Sequence, residues 1–137
     1  MRKSRASLLW PLISVVRRLV IGSRGMQIHR TSCNAEGTRF SISKHGTEVA
    51  RAYLYVMSNG LHKEPFGLLE DVYVEESERG TGIGTALVKE VIAAATEFGC
   101  YKLLATSRAS RPKVHALYER LGFENYGLEF RMNLGGS

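Results

Sequence analysis

The sequence holds only two cysteines, Cys33 and Cys100. That is too few for a disulfide framework, and two reduced thiols in a cytoplasmic protein are the expected state. Long apolar runs are missing as well. The apolar stretch from Ala6 to Val16 stops at Arg17-Arg18, well short of the roughly 20 residues that a spanning helix needs. No small-residue cleavage site follows it, which disfavours secretion. Acidic residues are absent from the first 35 positions, which carry seven basic ones. The remaining positions carry twelve basic against thirteen acidic residues, so the net charge of +6 belongs to the N-terminal segment. A nucleic-acid-binding domain carries its basic stripe on the folded body, so no nucleic-acid partner is expected.

What is present fits one globular domain. A chain of 137 residues, 44% of them hydrophobic, suffices for a single packed core. Residues 1–25 read as a basic, apolar leader and residues 26–137 as the working domain. Three readings of the leader stay open: a targeting presequence into an organelle, a basic anchor contacting an anionic membrane, or a disordered lead-in.

From Phe40 the pattern becomes regular. Phe40 and Ile42 alternate with polar residues before the turn residues Ser43 to Gly46, which predicts a hairpin. Val49 to Met57 is aliphatic, aromatic and β-branched on both faces, suiting a strand covered on both sides. Gly67 to Val74 predicts the next strand. Beyond Arg79 the period changes from two to about 3.6. Ile83, Leu87, Val88, Val91, Ile92, Ala95 and Phe98 then share one helical stripe that Gly99 stops. Tyr101 to Ser107 reads as a short strand. Pro112 opens a second helix with Val114, Leu117, Tyr118 and Leu121 on one face and Gly122 as its stop. Leu128, Phe130, Met132 and Leu134 alternate with Glu129, Arg131 and Asn133, predicting a last half-buried strand. The order implies an α/β layered domain.

Between the strand ending at Val74 and the first helix lies Arg79-Gly80-Thr81-Gly82-Ile83-Gly84. Free backbone N–H groups in such a turn, backed by the positive end of the helix dipole, bind phosphate or pyrophosphate. Two rival phosphate loops fit poorly. No Lys-Ser or Lys-Thr follows as a P-loop requires, and Thr85 stands where the dinucleotide fingerprint has its third glycine.

The stretch from Leu68 to Cys100 resembles motif A of the GNAT superfamily of N-acetyltransferases, whose [RQ]-x-x-G-x-[GA] signature is met by Arg79, Gly82 and Gly84. Val114 to Glu124 is similar to that superfamily's motif B, with Tyr118 four residues before Gly122-Phe123. The resemblance runs from about Phe40 to Leu134. It implies a mixed, mostly antiparallel sheet with flanking helices, and transfer of an acetyl group from acetyl-CoA to a primary amine by direct attack in a ternary complex. It further implies that Val72, Tyr73 and Val74 pair with the pantetheine arm, with the Val72 amide polarising the thioester carbonyl. The amides of Arg79, Gly80, Thr81, Gly82, Ile83, Gly84 and Thr85 would cradle the pyrophosphate. Tyr118 matches the family's proton donor. Glu70, expected on the same strand face as Val72 by alternation, is the candidate base, and Asp71, on the opposite face, is expected to be structural.

The chain also departs from the pattern. Arg111 stands where many members have Asn, and Thr106 where some protein-acetylating members have a catalytic Glu. There is no room for two helices between the first strands, so the acceptor site would lack its usual roof or borrow one from a second subunit in a homodimer. Arg108, Arg111 and His115 gather near the expected cleft mouth. The acceptor, a small-molecule or peptide amine, is not specified. His29, His45 and His62 are scattered and suggest no metal site. A non-catalytic acyl-CoA-binding or partner-binding module, tethered by the basic leader, is the alternative to the enzyme.

Overall fold

A computed structural model describes residues 18–22 and 25–136; the apolar stretch from Ala6 to Val16 lies outside them. The described residues form two compact units that divide after Asn34. In the first, β1 (Arg18–Ile21) pairs antiparallel with β2 (Gln27–Arg30), Arg18 opposite Arg30. The Gly22 amide donates to the Met26 carbonyl at 2.9 Å and closes the connection. Among the described residues no helix is long and apolar enough to cross a membrane.

The second unit is built on a four-stranded sheet in the order β3-β4-β5-β6. Strands β3 (Asn34–Lys44) and β4 (Thr47–Ser58) flank the turn at His45-Gly46, where both residues take positive φ. Strand β5 (Phe66–Val74) runs antiparallel to β4, and β6 (Leu103–Ala105) runs parallel to β5. Helix α1 (Ile83–Glu97) connects β5 to β6, and α2 (Pro112–Arg120) follows β6. The expected α/β class, mixed and mostly antiparallel, is the class observed.

The core lies between α1 and one face of the sheet. Leu87, Val88, Val91 and Ala95 are its helical contribution, and Ala50, Ala52, Leu54, Val56 and Leu69 its strand contribution. Four of the seven residues in the expected helical stripe are thus fully buried; Ile83, Ile92 and Phe98 are half-buried at its margins. Gly67 lies where β5, β6 and α1 meet: a Cβ there would come within 2.8 Å of Leu103 and 3.2 Å of Leu54. Only glycine lets the layers close to this distance.

Three expectations are corrected. Among the described residues, strand β4 is covered on one face over most of its length, not on two: Ala50, Ala52, Leu54 and Val56 are buried, while Arg51 and Tyr53 are half-buried and Tyr55 is exposed. Tyrosine tolerates this because its ring is apolar and its hydroxyl prefers a polar partner; Tyr53 accepts from Arg39 Nε at 3.1 Å and stacks on Tyr55 with centroids 6.4 Å apart. The strand expected over Tyr101 to Ser107 is confined to Leu103–Ala105. The last expected strand does not form. Leu128, Phe130, Met132 and Leu134 are exposed in irregular backbone, because alternation selects a face but does not supply the neighbouring strand whose hydrogen bonds define a ladder.

Candidate active site

The site begins where two strands part. Strands β5 and β6 pair only from Gly67–Leu103 to Leu69–Ala105. Glu70 through Val74 continue past the last pair, so the β6-side edge of β5 is open along this length. Val72, Tyr73 and Val74, the residues expected to meet the pantetheine arm, all lie on the open stretch.

Strand β5 is also bulged there. Arg51 lies opposite Tyr73 and Tyr53 opposite Glu70, so two residues of β5, Asp71 and Val72, face the single Ala52 of β4. Asp71 takes φ 48°, a left-handed conformation that aspartate tolerates better than most residues. The bulge overturns the face expected from strict alternation. Glu70 and Tyr73 share the uncovered face with Arg51 and Tyr53, while Val72 and Val74 share the other. Nothing in the sequence marks the bulge beyond the tolerance of Asp71 for positive φ.

Residues around this opening bring together the two side chains expected to move protons. Thr106 Oγ1 donates to Glu70 Oε1 at 3.3 Å, linking the two strands just beyond their last pair. Tyr118, half-buried on α2, packs its ring against Phe123 with centroids 5.2 Å apart. Burial pushes its phenol above the ordinary tyrosine range, and the negative charge of Glu70 pushes in the same direction. At neutral pH the phenol is protonated and able to donate. On the uncovered face the Arg51 guanidinium lies 4.5 Å from the centre of the Tyr73 ring. The Tyr73 hydroxyl donates to Glu75 at 2.6 Å, which raises its pKa.

The glycine loop closes one end of the opening. A single 3-10 turn, Glu76–Glu78, leads into it. The Arg79 amide donates to the Glu76 carbonyl at 3.2 Å. It is therefore engaged, and the run of amides expected from Arg79 starts one residue later, at Gly80. The Arg79 side chain instead donates through Nε to the Val74 carbonyl at 3.0 Å, fixing the loop to the end of β5. Thr81 Oγ1 donates to the Glu78 carbonyl, and Lys44 Nζ bonds Glu78 Oε2, both at 2.5 Å. Among the described residues, the amides from Gly80 to Thr85 have no acceptor. Gly80 and Gly82 hold φ of 78° and 87°, which turn the backbone so that these amides point out at the head of α1. Arg120 of α2 reaches Thr85 Oγ1 at 3.4 Å, joining the second helix to the first turn of α1. His115 of α2 is tied to the Arg108 carbonyl at 3.0 Å, so of the three groups expected at the mouth, the histidine is committed to the segment that precedes its own helix.

Known proteins are similar to the chain in sequence and in fold. A model described as the acetyltransferase (GNAT) family matches residues 17–123. The chain is 34% identical over 93 residues to an aminoglycoside N(6')-acetyltransferase type 1 of Stenotrophomonas maltophilia, covering 68% of this chain and 57% of that protein. It is 39% identical over 69 residues to a glucosamine 6-phosphate N-acetyltransferase of Trypanosoma brucei brucei, covering 50% and 44%. These matches thus span about half the length of the relatives. A solved structure, a putative acetyltransferase from Agrobacterium tumefaciens, superposes with a TM-score of 0.66 at 32% identity, covering 71% of this chain and 68% of that one. With the family match extending over most of the chain and the fold shared, the chain belongs to the acetyltransferase (GNAT) family.

Proposed function

We propose that the protein is an acetyl-CoA-dependent N-acetyltransferase that acylates a primary amine by direct attack. The observation that carries this reading is the parting of β5 from β6 beyond the Leu69–Ala105 pair, with free amides at one end and Glu70 and Tyr118 alongside. The residues suit acetyl-CoA. An extended pantetheine arm takes hydrogen bonds from an unpaired strand edge, and the amides of Gly80 to Thr85 receive a pyrophosphate without a Cβ at Gly80 or Gly82 to hold it off.

The proposed roles follow from what the reaction requires. The acceptor must attack as a free amine, because an ammonium group has no lone pair; Glu70, held by Thr106, takes its proton directly or through water. A backbone amide, proposed as that of Val72, stabilises the oxyanion that develops on the carbonyl. The carbon–sulfur bond then breaks, and Tyr118 protonates the departing thiolate. The raised pKa of Tyr118 keeps the proton available throughout the neutral range.

We infer that the acceptor approaches over the uncovered face of the sheet, which carries Glu70 with Arg51, Tyr53 and Tyr73. A small molecule bearing a primary amine is the proposed class. Relatives named for aminoglycoside and glucosamine 6-phosphate acetylation support amino sugars as the first to test.

Two measurements check the proposal. Acetyl-CoA should raise the melting temperature by an amount that grows with concentration, and a free-thiol assay over amino sugars, amino acids and peptides should show turnover with at least one class. No thermal shift at millimolar acetyl-CoA sinks the assignment. Binding without transfer to any amine leaves a non-catalytic acyl-CoA-binding module. Tyr118→Phe should lower kcat about 10²-fold or more with little change in acetyl-CoA affinity; lost affinity would make the residue structural.

A further inference from the structure

Among the described residues, one buried side-chain oxygen or nitrogen has no hydrogen-bond partner, Ser107 Oγ. Native proteins pair nearly all such groups, and a hydroxyl held out of water without a partner is destabilising. Strand β6 pairs with β5 at a constant offset, Gly67 with Leu103 through Leu69 with Ala105. The side chains of Glu70 and Thr106 carry the same offset one residue further. Ser107 comes next, across the opening from Asp71 and beside Val72, close to where the strands part. Its face follows from alternation, because ladder neighbours share a face and successive residues do not. Gly67 and Leu103 face α1: a Cβ at Gly67 would lie 2.8 Å from Leu103 and 3.7 Å from Ala95 of α1. Ala105 shares that face, Thr106 turns to the uncovered face to reach Glu70, and Ser107 turns back toward α1. Val72 and Val74 lie on the same side; a Cβ at Gly84 of α1 would be 3.5 Å from Val74. The Ser107 hydroxyl therefore borders the opening on its α1 side, on the bank opposite Val72.

We propose that the Ser107 hydroxyl is a second hydrogen-bond donor to the thioester carbonyl of acetyl-CoA, acting with the Val72 amide from the other bank of the opening. The inference rests on the acetyltransferase reading above. Attack has to take place beside Glu70, so the acetyl end of the donor goes deepest, toward the Leu69–Ala105 pair, and Val72 and Ser107 flank that end. As the amine nitrogen bonds to the carbonyl carbon, the carbonyl electron pair moves onto oxygen, where the two donors meet the growing charge. The pair returns as the carbon–sulfur bond breaks. The amine proton goes to Glu70 and the thiolate takes the proton of Tyr118, so Ser107 keeps its own throughout. A hydroxyl with no partner in the free protein has no competing bond to break when the oxyanion forms. Its full hydrogen bond is then realised in the transition state, which is where binding accelerates a reaction. The same hydroxyl lowers the stability of the free protein, an exchange of stability for activity that is common at reactive sites.

Ser107→Ala removes the hydroxyl and little volume, and it separates the two effects. Without ligand the variant should melt about 4 °C or more above wild type. Single-turnover transfer from acetyl-CoA to the best amine should slow about 10²-fold, with acetyl-CoA affinity within about threefold of wild type. Infrared difference spectra of acetyl-CoA isotope-labelled at the thioester carbonyl need no acceptor. The carbonyl band should move to lower frequency on binding wild type and move less on binding the variant, because a hydrogen bond to the oxygen weakens the double bond. A melting temperature that holds or falls in the variant overturns the proposal, since the hydroxyl would then have a structural partner. Transfer slowed less than tenfold overturns it, as does lost affinity in place of lost rate. A carbonyl band identical in the two proteins, with both binding acetyl-CoA, removes this inference alone. Failure of wild type to bind acetyl-CoA removes the acetyltransferase reading itself and this inference with it.

Discussion

Gly82 sits at the N-cap of α1 with φ 87° and ψ −1°, and Gly82→Ala isolates what that conformation contributes. A methyl group built there has no atom within 4 Å, so packing and clash drop out and only backbone strain remains. Holding an L-residue in the left-handed region costs about 1–2 kcal/mol. For a unit of roughly 100 residues each kcal/mol lowers the melting temperature by about 4–8 °C, so a fall of about 4–15 °C is expected without ligand. Any relaxation of the strain rotates the amides of Gly82 and Ile83 away from the anion site. A loss of about 1.4 kcal/mol there is a tenfold rise in the dissociation constant for acetyl-CoA. Gly84→Ala is the control. Gly84 is not among the residues with positive φ, and its added methyl would touch Val74 at 3.5 Å and Leu117 at 3.9 Å, ordinary contact distances. Removing a glycine from a helix is worth up to about 1 kcal/mol, so the melting temperature should hold or rise. Scanning calorimetry and isothermal titration of both variants decide the matter. An unchanged melting temperature and affinity in Gly82→Ala would refute the reasoning, and so would equal damage in Gly84→Ala.

Further outcomes follow from the same geometry. Glu70→Gln keeps the shape of the side chain and removes its basicity; kcat should fall about 10²–10⁴-fold and the acid limb of the kcat/KM pH profile should disappear, whereas a limb that survives assigns the base elsewhere. Tyr118 has a folded pKa raised by burial and by Glu70, so above about pH 10 the unfolded chain binds fewer protons there than the folded one and stability falls as pH rises. Comparing chemical denaturation of wild type and Tyr118→Phe at pH 8 and above pH 10 checks this: the alkaline loss should be smaller in the variant, and an equal loss would mean the phenol titrates alike in both states. Leu54 is fully buried, so Leu54→Ala should cost about 2–5 kcal/mol in urea unfolding; a cost under 1 kcal/mol would contradict the packing.

Local sequence determined the parts whose causes are local. The turn at His45-Gly46, the helix that begins as the glycine loop ends, its stop at Gly99, and the Pro112 to Gly122 bounds of the second helix follow from periodicity and from residues with special φ. The chemistry of the loop was legible for the same reason: a glycine turn running into a helix exposes amides whatever surrounds it. Tertiary structure decided what depends on a neighbour. Whether β5 pairs with β6 at Glu70 or parts from it is a matter of ladder hydrogen bonds between segments more than thirty residues apart, which no alternation records. The bulge at Asp71 arises from register against β4, and it moved Glu70 to the face opposite Val72. The cover on Tyr53 and Tyr55, and the missing partner of Leu128 to Leu134, likewise depended on which layers the remainder of the chain could supply. Periodicity names the face a residue belongs to; only the assembled fold determines what, if anything, lies against that face.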